Sequence, residues 1–185
     1  QMFAYRSTRV QSDLARIREF SHLPRHRILI SGSTGLIGMQ LCAFLSAAGH
    51  DVTRLVRPST TLPSDAVKEN TVVWNDQTGE VISGSLDGFD TVIHLAGAGI
   101  GDRRWNAKRK ELISKSRSIP TRNLAEHLAR CENPPATFIS GSATGFYGNR
   151  FNETLDESSE AGKNYLATIC QEWESAAQPA ADAGI

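Results

Sequence analysis

With 185 residues, 39% of them hydrophobic and 22% charged, the chain has room for one stable core and a further segment. Twenty basic residues balance twenty acidic ones, so bulk charge gives no reason to expect a nucleic-acid or membrane partner. Cys42, Cys131 and Cys170 are far apart and form no CxxC pair, which argues against a disulfide framework or a zinc site and for reduced thiols in a cytoplasmic protein.

Residues 1–24 are polar and basic and end at Pro24. Leu14, Ile17 and Phe20 suffice for one or two amphipathic turns, so this segment is read as a linker or docking arm. Met2 is followed by Phe3, Tyr5, Arg6 and Arg9 without an apolar stretch, and no secretory leader is expected.

From Ile28 to His50 no Asp, Glu, Lys or Arg occurs, a length that would span a bilayer by counting alone. Its glycines and its β-branched opening fit a strand, a tight loop and a buried helix better. Residues 27–31 read as the strand. Ile37, Leu41, Phe44, Leu45 and Ala48 fall at helical spacing, with Gly49 as the stop. Further strands are predicted at 52–56, 71–74, 91–96 and 136–140. A basic helical region from Trp105 to Arg130 should kink or restart at Pro120. A last helix presents Leu166, Ile169, Cys170, Trp173 and Ala177 and ends near Pro179. Strands alternating with helices predict an α/β, three-layer fold with a mostly parallel sheet. The chain stops where another strand is expected, so residues 25–185 are read as a domain truncated before its C-terminal strands and substrate-binding part.

Gly32, Gly35 and Gly38 form G-x-x-G-x-x-G directly after a strand and before a helix. Such a loop lets backbone amides approach a diphosphate and aims a helix N-terminus at it. Residues Gly32, Ser33, Thr34, Gly35, Leu36, Ile37 and Gly38 are therefore the candidate site for a dinucleotide. No Lys-Ser/Thr follows, so a Walker-type NTPase is not indicated. The second strand begins with Asp51 but ends at Arg57, where a guanidinium suits the 2′-phosphate of NADP and favours it over NAD.

Taken together, Gly32–Gly38, residues 94–100 (HLAGAGI), Arg104-Trp105, Ser116-Arg117, residues 140–148 (SGSATGFYG), Asp156-Glu157 and Trp173-Glu174 carry a resemblance. The chain resembles atypical extended short-chain dehydrogenase/reductases, the NAD-dependent epimerase/dehydratase group of "epimerase family" proteins, over residues 25–185. The resemblance implies a Rossmann core, with Leu95, Ala96 and Gly97 along the cofactor. It also implies that Ser142, with Thr144 as second candidate, holds the substrate oxygen while a tyrosine moves the proton. Phe3–Arg6 and Asp13-Leu14 are similar to the junction with an upstream domain in longer members. Two departures stand out. Tyr165 lies 23 residues after Ser142, near the expected place, yet Ile169 stands where Tyr-x-x-x-Lys requires lysine. An unassisted phenol, with a pKa near ~10, is a poor base at neutral pH. Arg117 stands where active relatives often carry asparagine.

Residues 103–122 hold eight basic side chains against Glu111, with compensating acids expected at 153–174. A solvated or internally compensated helix explains them better than nucleic acid. Arg104 or Lys108 is a candidate contact for an anionic substrate group. His94 reads as a buried core histidine, Trp105 as core, and Tyr147 as packing or a substrate border. The remaining histidines lack metal-ligand spacing, and no metal is expected.

Two functions follow. One is an NADP-dependent oxidoreductase or sugar-nucleotide-epimerase-like enzyme acting on a small molecule with a carbonyl or hydroxyl. The alternative is a catalytically weak or inactive NADP-binding regulatory protein, favoured by the absent lysine.

Overall fold

The computed structural model describes residues 2–61 and 70–185, the side chains of 2–4 excepted, so Phe3 and Ala4 of the expected junction lie outside the described side chains. In chain order the elements are α1 (Met2–Glu19), β1 (Arg27–Ser31), α2 (Leu36–Ala47), β2 (Asp51–Val56), β3 (Thr71–Trp74), β4 (Val81–Ser83) and β5 (Thr91–His94). After these come α3 (Ala107–Leu128), β6 (Thr137–Ser140), α4 (Tyr165–Ala176) and α5 (Gln178–Asp182).

Ile28, Leu29 and Ile30 are all buried, as a central strand covered on both faces requires. The sheet order is β4-β3-β2-β1-β5-β6, parallel throughout except for the β3–β4 edge pair. Side chains alternate across it. Leu29, Leu55, Val72, Trp74 and Val92 pack with Leu124 and Leu128 of α3. Ile28, Ile30, Val52 and Ile93 pack with Cys42 of α2. Two cores on opposite faces make the three layers expected of a Rossmann fold.

Several local expectations differ from what forms. Residues 2–19 build a continuous helix rather than one or two turns, with Tyr5, Val10 and Leu14 exposed. Strand β4 has no counterpart among the predicted strands. In α2 the face toward the sheet carries Gly38 and Cys42, with Leu41 and Leu45 beside it, whereas Ile37 is 67% exposed. At Gly38 the helix lies so close to the preceding loop that a Cβ would overlap the Gly32 carbonyl, so the face turned inward is the one bearing glycine. Pro120 is fully buried inside an unbroken α3, flanked by buried Ile113, Thr121, Leu124 and Leu128. That packing outweighs the roughly 3 kcal/mol an interior proline costs. Pro179 opens the short α5 instead of only closing α4.

The basic stretch is compensated mainly by near neighbours. Lys115 pairs with Glu111 at 2.6 Å, and Arg109 with Asp102 at 3.3 Å. Arg117 donates to the carbonyls of Ile113 and Ala98, each at 3.0 Å. The acids of 153–174 contribute one hydrogen bond to this helix, from Ser114 to Glu172.

Candidate functional site

Strand order reverses between β1 and β5, and a crevice at their carboxyl ends is where open α/β sheets bind ligands. The chain leaves β1 into Gly32, whose φ of +69° favours glycine. A Cβ there would stand 2.7 Å from the Leu95 carbonyl carbon. The Gly35 N–H donates to the Gly32 carbonyl at 3.0 Å, and a Cβ on Gly38 would overlap that same oxygen. The loop is held from β2 by Arg54, which donates to the Ser33 carbonyl at 3.1 Å.

Gly35 is the N-cap of α2 and supplies no side-chain acceptor. The amides of Leu36, Ile37 and Gly38 thus have no acceptor among the described residues. Unsatisfied amides at a helix start, with the partial positive charge of the helix dipole, form an anion site. The loop that leads into this turn borders a cleft of about 460 Å³, lined by Gly32–Gly35, the ends of β2 and β3, the segment Leu95–Gly99, and part of α3. A backbone cradle that a Cβ would fill, beside free amides, fits a dinucleotide diphosphate.

Arg57 lines this cleft beyond β2. It lies 4.0 Å from Asp76, and its side chain stays 64% exposed. Asp51 sits at the opposite end of the strand, 3.8 Å from Arg27, and is out of reach of a ribose in the cleft. Leu95, Ala96 and Gly97 form the wall across from the glycine loop. That wall is fastened to α3: the Ala98 N–H donates to Ser116 Oγ at 3.0 Å, and Arg117 donates to the Ala98 carbonyl.

The hydroxyl candidates stand past β6 on the same sheet edge. The Gly141 N–H donates to the His94 carbonyl at 3.0 Å, and a Cβ on Gly141 would meet the Trp173 indole at 2.8 Å. Trp173 in turn donates to Thr121 Oγ1 at 3.0 Å, which joins α4 to α3. Ser142, exposed, donates to a Glu174 carboxylate oxygen at 2.5 Å. Thr144 opens a 3-10 turn, Thr144–Tyr147. Tyr165 starts α4 behind an Asn164 cap and donates its hydroxyl to the Lys110 carbonyl at 2.6 Å. Burial, and then the Glu172 carboxylate, push its pKa up, away from that of a base. Ile169 is buried, and no hydrogen bond or ion pair joins Lys163 to the phenol among the described residues.

His94 is fully buried, with Nδ1 2.6 Å from Ser31 Oγ. Burial lowers its pKa to about 4, so the ring is neutral at physiological pH and serves the core. Its Nε2 has no hydrogen-bond partner among the described residues.

Sequence reasoning missed Asp76, Asp102 and Arg109, and quoted Ser116 and Glu174 only as carriers of the resemblance, with no role. On α3 the cleft is lined by Arg109, Leu112 and Ser116, not by Arg104 or Lys108. The missed signal was Asn106, the N-cap, which accepts from the Arg109 N–H at 2.8 Å and sets the phase of the helix. Trp105 is 40% exposed, edge-on to Tyr165 at 5.6 Å, instead of core.

No helix among the described residues is long and apolar enough to cross a membrane. The chain is 39% identical over 157 residues to an epimerase family protein of Mycobacterium leprae, covering 85% of this chain and 48% of that one. It therefore spans about half the length of the curated relatives it matches. A crystal structure of a nucleoside-diphosphate sugar epimerase from Corynebacterium glutamicum superposes with a TM-score of 0.78 at 40% identity, over 99% of this chain and 38% of that one. The human epimerase family protein SDR39U1, determined with NADPH, gives 0.69 at 28% identity over 82% and 48%. The sequence profile of the NAD-dependent epimerase/dehydratase family matches residues 28–177, most of the chain, and the chain belongs to that family, with its NAD(P)-binding Rossmann fold.

Proposed function

We propose that this chain is the NADP-holding part of an oxidoreductase or sugar-nucleotide-epimerase-like enzyme of the extended short-chain dehydrogenase/reductase type. The observation that carries this reading is the uncapped first turn of α2, preceded by the cleft-lining loop Gly32–Gly35 with its Gly32 backbone packed on Leu95 and Ala96. Those amides hold the diphosphate. Arg57, loosely paired and largely exposed, favours NADP over NAD by offering paired hydrogen bonds to a 2′-phosphate. The human relative determined with NADPH agrees with that preference.

When bound, the nicotinamide supplies hydride exchange with a carbonyl or alcohol carbon. Ser142 orients the substrate oxygen, and its own proton faces the Glu174 carboxylate. Tyr165, tied to the Lys110 carbonyl, is the weaker candidate for moving a proton, and Thr144 stands in reserve on the turn. The substrate is a small molecule with a carbonyl or hydroxyl, and the setting is cytoplasmic.

A second reading rests on the missing lysine and the raised Tyr165 pKa. In it the chain binds NADP with little turnover and regulates a partner or an upstream domain joined through residues 1–24.

Fluorescence titration with NADPH and NADH tests the shared premise. NADPH should bind at least about tenfold more tightly, about 1.4 kcal/mol, and equal or tighter NADH binding removes the role given to Arg57. A panel of carbonyl compounds assayed for NADPH oxidation separates the two readings. Turnover that falls by about a hundredfold or more in Ser142→Ala supports the enzyme. Turnover untouched by that change rejects Ser142, and none with any compound favours the regulatory reading.

A further inference from the structure

The cleft holds two arginines, each with an aspartate beside it, and they are built differently. Arg57 is 64% exposed and 4.0 Å from Asp76. Arg109 is only 15% exposed and 3.3 Å from Asp102, while Asp102 itself is 68% exposed. The second pair is thus a nearly buried cation whose counter-ion stands mostly in water. Its Nη2 also donates to the Gly99 carbonyl at 2.5 Å, and its buried Nε has no hydrogen-bond partner among the described residues. A guanidinium removed from water requires acceptors for its N–H groups and a nearby negative charge, and these two contacts supply only part of each.

The position of Arg109 says which anion completes the set. The glycine loop packs on Leu95 and Ala96, and Arg109 bonds Gly99, three residues further along the same wall. Chain length keeps these points within about 11 Å of each other. The loop Gly32–Gly35, which leads into the uncapped first turn of α2, and Arg109 line the one cleft. Resting on the proposed function, we propose that Arg109 grips the diphosphate bridge of the dinucleotide from the wall opposite α2. Asp102 is the carboxylate that phosphate oxygens displace. Arg57 then serves the 2′-phosphate at the adenosine end and Arg109 the bridge, so the two cations divide the cofactor's charge.

The test uses NADPH fluorescence, with ADP-ribose and adenosine 2′-phosphate as competitors. ADP-ribose carries the diphosphate bridge without the 2′-phosphate, and adenosine 2′-phosphate carries the reverse. Arg109→Gln should weaken NADPH and ADP-ribose by about tenfold or more, as loss of a charge-assisted contact does, and leave adenosine 2′-phosphate unchanged. Arg109→Lys should recover part of that loss. Asp102→Asn, which leaves the arginine in place, should tighten both diphosphate ligands. Unchanged NADPH and ADP-ribose binding in Arg109→Gln overturns the proposal and leaves Arg109 to an anionic substrate group. Weakening by Asp102→Asn as well, or equal weakening toward all three ligands, also overturns it, because loop shape rather than charge is then at work. If the unaltered chain binds neither NADPH nor ADP-ribose, the proposed function itself falls, which is a separate result.

Discussion

The mouth of α2 and the β6–α4 end of the sheet lie on one edge of the molecule, yet they are built on opposite terms. At the first, backbone amides beside a cleft have no acceptors among the described residues, and the glycines forbid side chains that might supply them. At the second, the two leading candidates already have internal partners: Ser142 has Glu174 and Tyr165 has the Lys110 carbonyl, while nearby Cys170 approaches the Ala143 carbonyl at 3.7 Å. A site made of main chain is preorganised and does not depend on side-chain identity beyond glycine. A site made of side chains can exchange one partner for another, and here the lysine is the member that has gone.

The contrast can be sharpened by perturbing the residues on which each end rests. The largest expected effect is acid destabilisation through His94, which lies beneath both. Its pKa falls from 6.5 to about 4 on folding, so below 6.5 the unfolded chain binds a proton that the folded chain does not. Its contribution is intact above pH 6.5 and is lost as pH falls toward 4, by about 3 kcal/mol in all. Urea unfolding of the protein and of His94→Gln at pH 7.5 and 4.5 checks this; equal pH slopes would remove His94 from the account. Next in size, Gly38→Ala should cost about 2 kcal/mol by overpacking and abolish most NADPH binding. Wild-type affinity in that variant would break the claim that the loop is sterically closed.

At the other end, Thr121→Val leaves the Trp173 N–H without its buried partner and should cost about 1.5 kcal/mol in thermal or urea unfolding. NADPH affinity should change little, since Ser116 holds the wall of the cleft independently of Trp173, on which Arg117 stacks. The smallest effect is expected of Tyr165→Phe, which loses one hydrogen bond to Lys110, worth about 1 kcal/mol or less. A loss of NADPH affinity in that variant would show that the two ends are coupled.

What the sequence revealed follows the same division. The loop was legible because three glycines at fixed spacing encode a backbone shape, and the strands because β-branched runs encode burial. Helix α1 escaped because its exposed surface has no apolar face to detect, and β4 because three residues at an edge carry no pattern. The outward turn of Ile37 goes with the close approach of the helix to the loop at Gly38, which apolar spacing cannot reveal. Arg109 was passed over for Arg104 because the phase of α3 is set by the Asn106 cap, not by charge density. Glu174 reaches Ser142 across 32 residues of chain, a meeting that only the tertiary fold arranges.

One oxygen has an unusual share in all this. The Gly32 carbonyl receives the Gly35 amide, faces the Gly35 α-carbon, and abuts the Gly38 α-carbon. A methyl group at either later glycine pushes on that single atom, so once it has yielded to the first, the second has little left to disturb. Penalties at these positions should combine to less than their sum, so that two errors would cost the motif little more than one.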